Sequence, residues 1–262
     1  MKAYLLLFIA CIPAGIHGQD RNVNADRVDP EYCRLKKGAL EFLDNLHRNA
    51  VSPMIASDNA VVYRRGKLAA IALASNDPTA AGVDTASIAL LHQRKIPVTL
   101  FLSGEWIEAN DSLVKALAAD TTFEIENAGL TGGKPVTENA GVSRSTTIFT
   151  AEDCIDEIEL NARKIYVLSH RKPLFYLPPE KRSRSDVPSI ACYLNEYLLL
   201  PDVIISDEHS LETLEKRADQ LNEQSIVILI HAGSQTSRAL RSVITRMEAA
   251  GFSFIKLEHL LD

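Results

Sequence analysis

The sequence predicts an α/β fold with about seven parallel strands, either closed as a barrel or wound as an open sheet. Three observations carry this. From Lys67 to Asp262, short apolar runs alternate with segments of helical period, the pattern of repeated βαβ units. Neither an internal repeat nor a linker interrupts that stretch, so it reads as one domain. The composition, 46% hydrophobic and 24% charged over 262 residues, is that of an ordinary globular chain large enough for such a domain.

The elements follow in order. Pro30–Ala50 has apolar residues at Leu35, Ala39, Leu40, Phe42, Leu43 and Leu46, a helical spacing, with Pro30 where a first-turn proline is tolerated. Ala60–Tyr63 is a short strand candidate. Leu68–Ala74 is a strand, Thr85–Arg94 a helix, Pro97–Leu102 a strand, Leu113–Ala119 a helix and Thr122–Ile125 a strand. Gly129–Val142 is a glycine-rich loop. Ala151–His170 is a long helix with Thr150 as N-cap and Asp153 in its first turn. Strands at Leu174–Leu177, Val203–Ser206, Ser225–Ile230 and Phe252–Lys256 alternate with helices at Val187–Glu196, Leu211–Asn222 and Arg238–Ala250, and Leu257–Leu261 is a terminal turn.

The N-terminus has a different character. Met1-Lys2 precedes an apolar run, Ala3–Pro13, and then small residues up to Gly18. This reads as a secretory signal peptide over 1–18, too short for a membrane span, and implies a secreted or periplasmic protein. Lipid anchoring at Cys11 is the alternative, disfavoured by Phe8 at the third position upstream. Residues 19–66 then form an N-terminal helical extension and 67–262 the main domain. The net charge is −6, with both signs spread along the chain, so nucleic acid is not an expected partner. Beyond the signal, Cys33, Cys154 and Cys192 allow at most one disulfide and fit no zinc spacing.

In either architecture the site belongs at the carboxyl ends of the parallel strands. Those ends carry Asn76 and Asp77, Glu105 and Trp106, Glu126 and Asn127, Asp207 and His209, and His231. His231 is the sharpest. The apolar run Ile226–Ile230 delivers it to a strand end, where it is a general acid or ligand, or else a core-bonded histidine. Asp77 is a ligand or a turn cap before Pro78. Asp207 either orients a histidine or caps the next helix. Trp106 is a sugar-stacking platform or a packing residue. Asn76, Glu105, Trp106 and Asn127 are the candidate substrate contacts. No Gly-x-Ser-x-Gly elbow and no dinucleotide fingerprint is present.

The same segments resemble the polysaccharide deacetylase (NodB-homology) family. Ala74-Ser75-Asn76-Asp77-Pro78 stands where the family has Thr-Phe-Asp-Asp-Gly. Ile96–Asn110 resembles the second strand and the start of its helix. Phe123–Gly133, FEIENAGLTGG, keeps the frame of His-Glu-Ile-Gly-Asn-His-Thr-x-Ser/Thr-His-Pro. Phe175–Glu180 resembles Phe-Arg-x-Pro-Tyr, and Ser225–Leu261 the closing Leu-His strand, helix and strand. The resemblance implies a distorted (β/α) barrel of about seven parallel strands behind an N-terminal helical extension.

It also implies a changed site. The family's base falls on Asn76, which takes no proton at neutral pH. Of the three metal ligands Asp77 survives, while the two histidines fall on Ala128 and Gly132. One carboxylate does not hold a transition metal tightly, so no cofactor is expected. The arginine that orients the base falls on Leu177. The acid histidine survives as His231, with Asp207 as the carboxylate that tunes it. The expected function is a catalytically inactive or repurposed secreted relative that binds a chitin-like or peptidoglycan-like N-acetylated glycan, or a protein partner. The alternative is an active carbohydrate deacetylase with zinc or another divalent metal on substitute ligands from Glu105, Glu126, His209 or Asp207. A third reading is metal-free hydrolysis by Asp207–His231 with Ser75, Ser103 or Ser206.

Overall fold

The computed structural model describes residues 29–48, 65–75, 85–132, 150–179, 185–205, 208–220, 224–233 and 236–261. The chain divides into two compact units, Met1–Lys37 and Gly38–Asp262. The helix α1 (Pro30–Arg48) has Glu31 in its first turn and His47 and Arg48 in its last, the charge order that a helix dipole favours. The strand candidate Ala60–Tyr63 lies outside the described residues.

From Leu68 the order is β1 (Leu68–Ser75), α2 (Thr85–Arg94), β2 (Val98–Leu102), α3 (Gly104–Ala109), α4 (Asp111–Ala119), β3 (Phe123–Asn127), α5 (Ala151–Ser169), β4 (Phe175–Tyr176), α6 (Val187–Tyr193), β5 (Tyr197–Leu198), β6 (Val203–Ile205), α7 (Glu208–Gln220), β7 (Ile226–His231), α8 (Thr236–Ala249) and β8 (Ser253–Phe254). A 3-10 turn, Leu257–Leu260, follows. The strands run β5-β4-β3-β2-β1-β7-β6 across one sheet, with β8 alongside the start of β1. Every ladder between these strands is parallel. The sheet curls into an open half-barrel whose edges are β5 and β6, in agreement with the barrel that the resemblance implies.

Alternation along β1 sorts the core into two layers. Ala69, Ile71 and Leu73 pack with Leu90 and Leu91 of α2, Leu214 of α7 and Leu240 and Val243 of α8. Ala70, Ala72 and Ala74 face the other way, with Phe101, Phe175, Leu229 and Leu257. Among the described residues that second cluster contains none from α1 to α8, so it fills the concave side. Alanines on β1 leave room there for two phenylalanines, which fits the close packing of protein interiors.

Within the described residues the expected elements are present, with shifts that have local causes. Ser103 accepts from the Trp106 N–H at 3.2 Å and starts α3, a helix absent from the periodicity reading. Thr150 and Asp153 form a reciprocal capping box on α5. His170 closes α5 in a left-handed conformation. Asn195 does the same after α6, with φ +64°, so the expected helix through Glu196 stops early and β5 appears. Cys154 is buried and Cys192 is half-buried, and no disulfide joins the described cysteines.

Candidate functional site at the strand ends

β7 brings His231 to the rim. The five residues before it are buried and His231 is exposed. It sits in register with Ala74 at the end of β1, and the Ala232 N–H donates to the Ala74 carbonyl at 2.8 Å. Residues in register on neighbouring strands share a face, so His231 lies on the concave side with Ala74. Ser75, one residue on, belongs to the opposite face. It is buried, and its hydroxyl has no partner among the described residues. Ser103 is also buried, with its hydroxyl spent on the α3 cap. Two of the three serines proposed for metal-free hydrolysis are therefore badly placed to serve His231. Ser206 lies outside the described residues, as do Asn76, Asp77 and Asp207. The side chain of His209 is likewise undescribed.

The loop after β3 carries the two emptied histidine positions. Ala128 is buried in the concave cluster beside Leu177 and Phe101. Gly132 has φ +60°, a conformation costly for a residue with a Cβ. The loop is anchored from behind. Glu157 of α5 accepts from the Thr131 N–H at 2.9 Å and from the Thr131 hydroxyl at 2.5 Å. Gly129 has φ +83°, and a Cβ there would lie 2.7 Å from the Glu157 Oε2. Gly104 and Glu105 donate their N–H groups to the Gly129 and Leu130 carbonyls, both at 3.0 Å. The half-buried Glu105 is thus held at the rim beside this loop.

Two proposed substrate contacts are corrected here. Trp106 is 2% exposed and belongs to the core between sheet and helices. It has no free face on which a sugar could stack. Asn127 is fully buried. Its Nδ2 donates to the Ile158 carbonyl and to Glu196, and its Oδ1 accepts from Gly129 N–H and Asn161 Nδ2. With donors and acceptor so engaged, Asn127 braces the loop and has no capacity left for a ligand. Burial pushes the Glu196 carboxyl well above the ordinary carboxylate range, which suits its place in this dry network.

Glu126 is also not a rim ligand. Its Oε2 accepts from the N–H groups of Leu174 and Phe175, at 2.7 and 2.6 Å, so it serves the seam between β3 and β4. Asp77, Asp207 and the side chain of His209 lie outside the described residues, so the described part of the site supplies only some of the possible metal donors. Among the described residues no three His, Cys, Asp or Glu side chains converge on one point. At the emptied histidine positions stand a buried methyl group and a left-handed glycine. No helix among the described residues is long and apolar enough to cross a membrane.

Comparison with known proteins agrees with this geometry. The polysaccharide deacetylase family model matches residues 68–195. The uncharacterized protein YlxY of Bacillus subtilis is 25% identical over 175 residues, 66% of this chain and 51% of that protein. The chain thus spans about half the length of the curated relative it matches. Wild-type BA3943 of Bacillus anthracis, described as a CE4 family pseudoenzyme, superposes with a TM-score of 0.57 at 20% identity, covering 75% of this chain and 66% of that one. A mutant of it, with a TM-score of 0.59 at 20% identity over 75% of this chain and 68% of its own, is described as having restored enzymatic activity. PdaA of Bacillus subtilis, a family 4 carbohydrate esterase, gives a TM-score of 0.57 at 14% identity, covering 78% and 86%. Matched in the order of its motifs and in its half-barrel, and departing from them at the ligand positions, this chain is a divergent member of the polysaccharide deacetylase (NodB-homology) family.

Proposed function

We propose that the chain is a secreted, glycan-binding member of this family that does not deacetylate. One observation carries the reading. The frame of the site is kept, with His231 at its strand end and the Ala128–Gly132 stretch tied down by Glu157, while the positions of chemistry are filled by groups that do none. Ala128 and Leu177 pack together in an apolar cluster where the family has a ligand and a guanidinium. The two losses are mutually consistent, because a buried guanidinium without its carboxylate partner would be strongly destabilising. Deacetylation needs a polarised carbonyl and an activated water. Asn76, Ala128 and Gly132 supply neither. The reading is supported by a structural neighbour that is itself described as a CE4 family pseudoenzyme.

What remains suits binding. His231 brings an imidazole to the rim, and Glu105 and Asn76 are polar groups on neighbouring strand ends of a kind that can meet hydroxyl and acetamido groups. The ligand is an N-acetylated glycan of the chitin or peptidoglycan kind. Residues 1–18 direct secretion, and residues 19–66 form the extension ahead of the binding domain.

The test is a titration of the secreted, purified protein with chitin and peptidoglycan oligomers, together with metal analysis after incubation with zinc, cobalt and manganese. Saturable glycan binding is expected, weakened about tenfold in His231→Ala, the worth of one good hydrogen bond. No stoichiometric metal is expected. About one tightly held ion per chain, with acetate release that depends on it, would overturn this reading in favour of an active deacetylase with substitute ligands. Absence of glycan binding at millimolar concentration would remove the sugar and leave a protein partner as the ligand.

A further inference from the structure

The concave face of β1 consists of Ala70, Ala72 and Ala74. A row of methyl groups cannot by itself fill the inside of a half-barrel, and protein interiors tolerate few voids. Bulk therefore has to come from other elements. Phe101 and Phe175 supply part of it. Leu257 and Leu260 of the 3-10 turn supply more, and both leucines are 0% exposed. The same cluster contains Ala128 and Leu177, which lie just under the rim.

Strand register places the turn relative to His231. Ala72 pairs with Thr99, and Thr99 pairs with Glu124, so these three side chains form one row across β1, β2 and β3 on the concave face. Ala74, Phe101 and His231 form the next row toward the rim. Two residues along a strand separate the rows, about 7 Å. The turn is fastened to the lower row. β8 runs beside the start of β1, and the Ile255 N–H donates to the Ala69 carbonyl at 3.0 Å. The Leu257 N–H then donates to Thr99 Oγ1 at 3.1 Å. The Thr99 hydroxyl donates in turn to Glu124, which also accepts from the Glu258 N–H at 3.2 Å. Arg171, ahead of β4, closes the clasp on the Glu258 carboxylate. The turn thus crosses the half-barrel from β1 to the segment before β4, one row beneath His231.

We propose that the 3-10 turn Leu257–Leu260 is a strap that supports the rim site from below: seated under the Ala72–Thr99–Glu124 row, it holds the row above, and with it His231, in the geometry that binds ligand. This rests on the glycan-binding reading of the rim. The support acts through packing. A leucine withdrawn from beneath leaves a void that the alanines of β1 cannot fill, and the sheet closes on it by shifting the row that carries Ala74 and His231. The helix-facing layer has no such path to the rim. Leu214 of α7 is equally 0% exposed, yet it packs on the opposite side of the sheet. Affinity at the rim is therefore set in part from the amino ends of the strands, the side away from the ligand, and any change that loosens the clasp of Thr99, Glu124 and Glu258 loosens the site.

The test compares Leu260→Ala with Leu214→Ala in the full chain. Both remove the same atoms from fully buried positions, so a general loss of stability acts on both, and a urea midpoint for each shows how closely they match. Two quantities are read: affinity for chitin and peptidoglycan oligomers, and exchange protection of the Ala232 amide, which is bonded to the Ala74 carbonyl at 2.8 Å. Leu260→Ala is expected to bind about tenfold more weakly than the wild type and to lose about tenfold in Ala232 protection, while Leu214→Ala stays within about twofold in both. Equal losses in the two variants, or unchanged affinity and protection in Leu260→Ala, overturn the strap. Should Leu260→Ala not fold, Leu260→Val is read against Leu214→Val in the same way. A wild type that binds neither oligomer defeats the glycan reading by itself, and Ala232 protection in the two variants then decides the strap alone.

Discussion

Trp106→Ala is expected to lower the stability of the domain by about 3–5 kcal/mol, the usual cost of deleting a large aromatic from a core. The side chain is 2% exposed and packs in the cluster between sheet and helices. Its backbone is fixed as well. The Trp106 N–H is capped by Ser103, and its carbonyl accepts from Asn110 Nδ2 at 2.9 Å. A urea midpoint measured against the wild type checks the value. The same variant separates the two readings of this residue. A stacking platform at the rim would leave stability unchanged and abolish glycan affinity. A core residue moves the midpoint first, and any loss of binding follows from partial unfolding. A midpoint within about 0.5 kcal/mol of wild type, the range of an ordinary surface substitution, would return Trp106 to the binding site.

Glu157→Ala is the second large effect. Glu157 is 5% exposed, and its two oxygens take the N–H and the hydroxyl of Thr131. Alanine leaves both donors buried without that acceptor, at about 1–3 kcal/mol for each. The loss is concentrated in the Ala128–Gly132 stretch, so the Thr131 amide is expected to lose its exchange protection while amides in β1 and β7 keep theirs. Glu157→Gln retains an acceptor for the N–H and an amide partner for the hydroxyl, and should lose much less. Equal protection of Thr131 in Glu157→Ala and in the wild type would show that this stretch is held by something other than the carboxylate. Glycan affinity should fall with the alanine variant and largely return with glutamine, because the rim depends on the shape of this stretch and not on the charge behind it.

Much of this was legible in the order of the residues. The alternation of apolar runs and helical periods after Lys67 identified the parallel sheet, because strand and helix impose different spacings on whatever is buried. Thr150 and Asp153 marked the start of α5 through a local capping chemistry that involves neighbours alone. His231 could be placed at a strand end because five apolar residues lead into it. The departures at Asn76, Ala128, Gly132 and Leu177 are changes of letter, visible wherever the surrounding frame is kept.

The misread residues share a cause. Trp106, Glu126 and Asn127 all follow or end a strand, where polar and aromatic side chains invite a functional reading. Periodicity says which residues share a face; it does not say what covers that face. α5 covers Asn127, through Ile158 and Asn161, although those residues stand some thirty positions further along the chain. Glu126 finds its partners in the backbone of Leu174 and Phe175, groups present at every position and so without any signature in the sequence. Which groups stand at this site was determined by the sequence itself, since the identity of a side chain decides whether it can bind a metal or take a proton. The roles of the buried polar residues were decided only by the tertiary structure, because a desolvated carboxylate or amide acts according to whichever groups packing brings within hydrogen-bond reach.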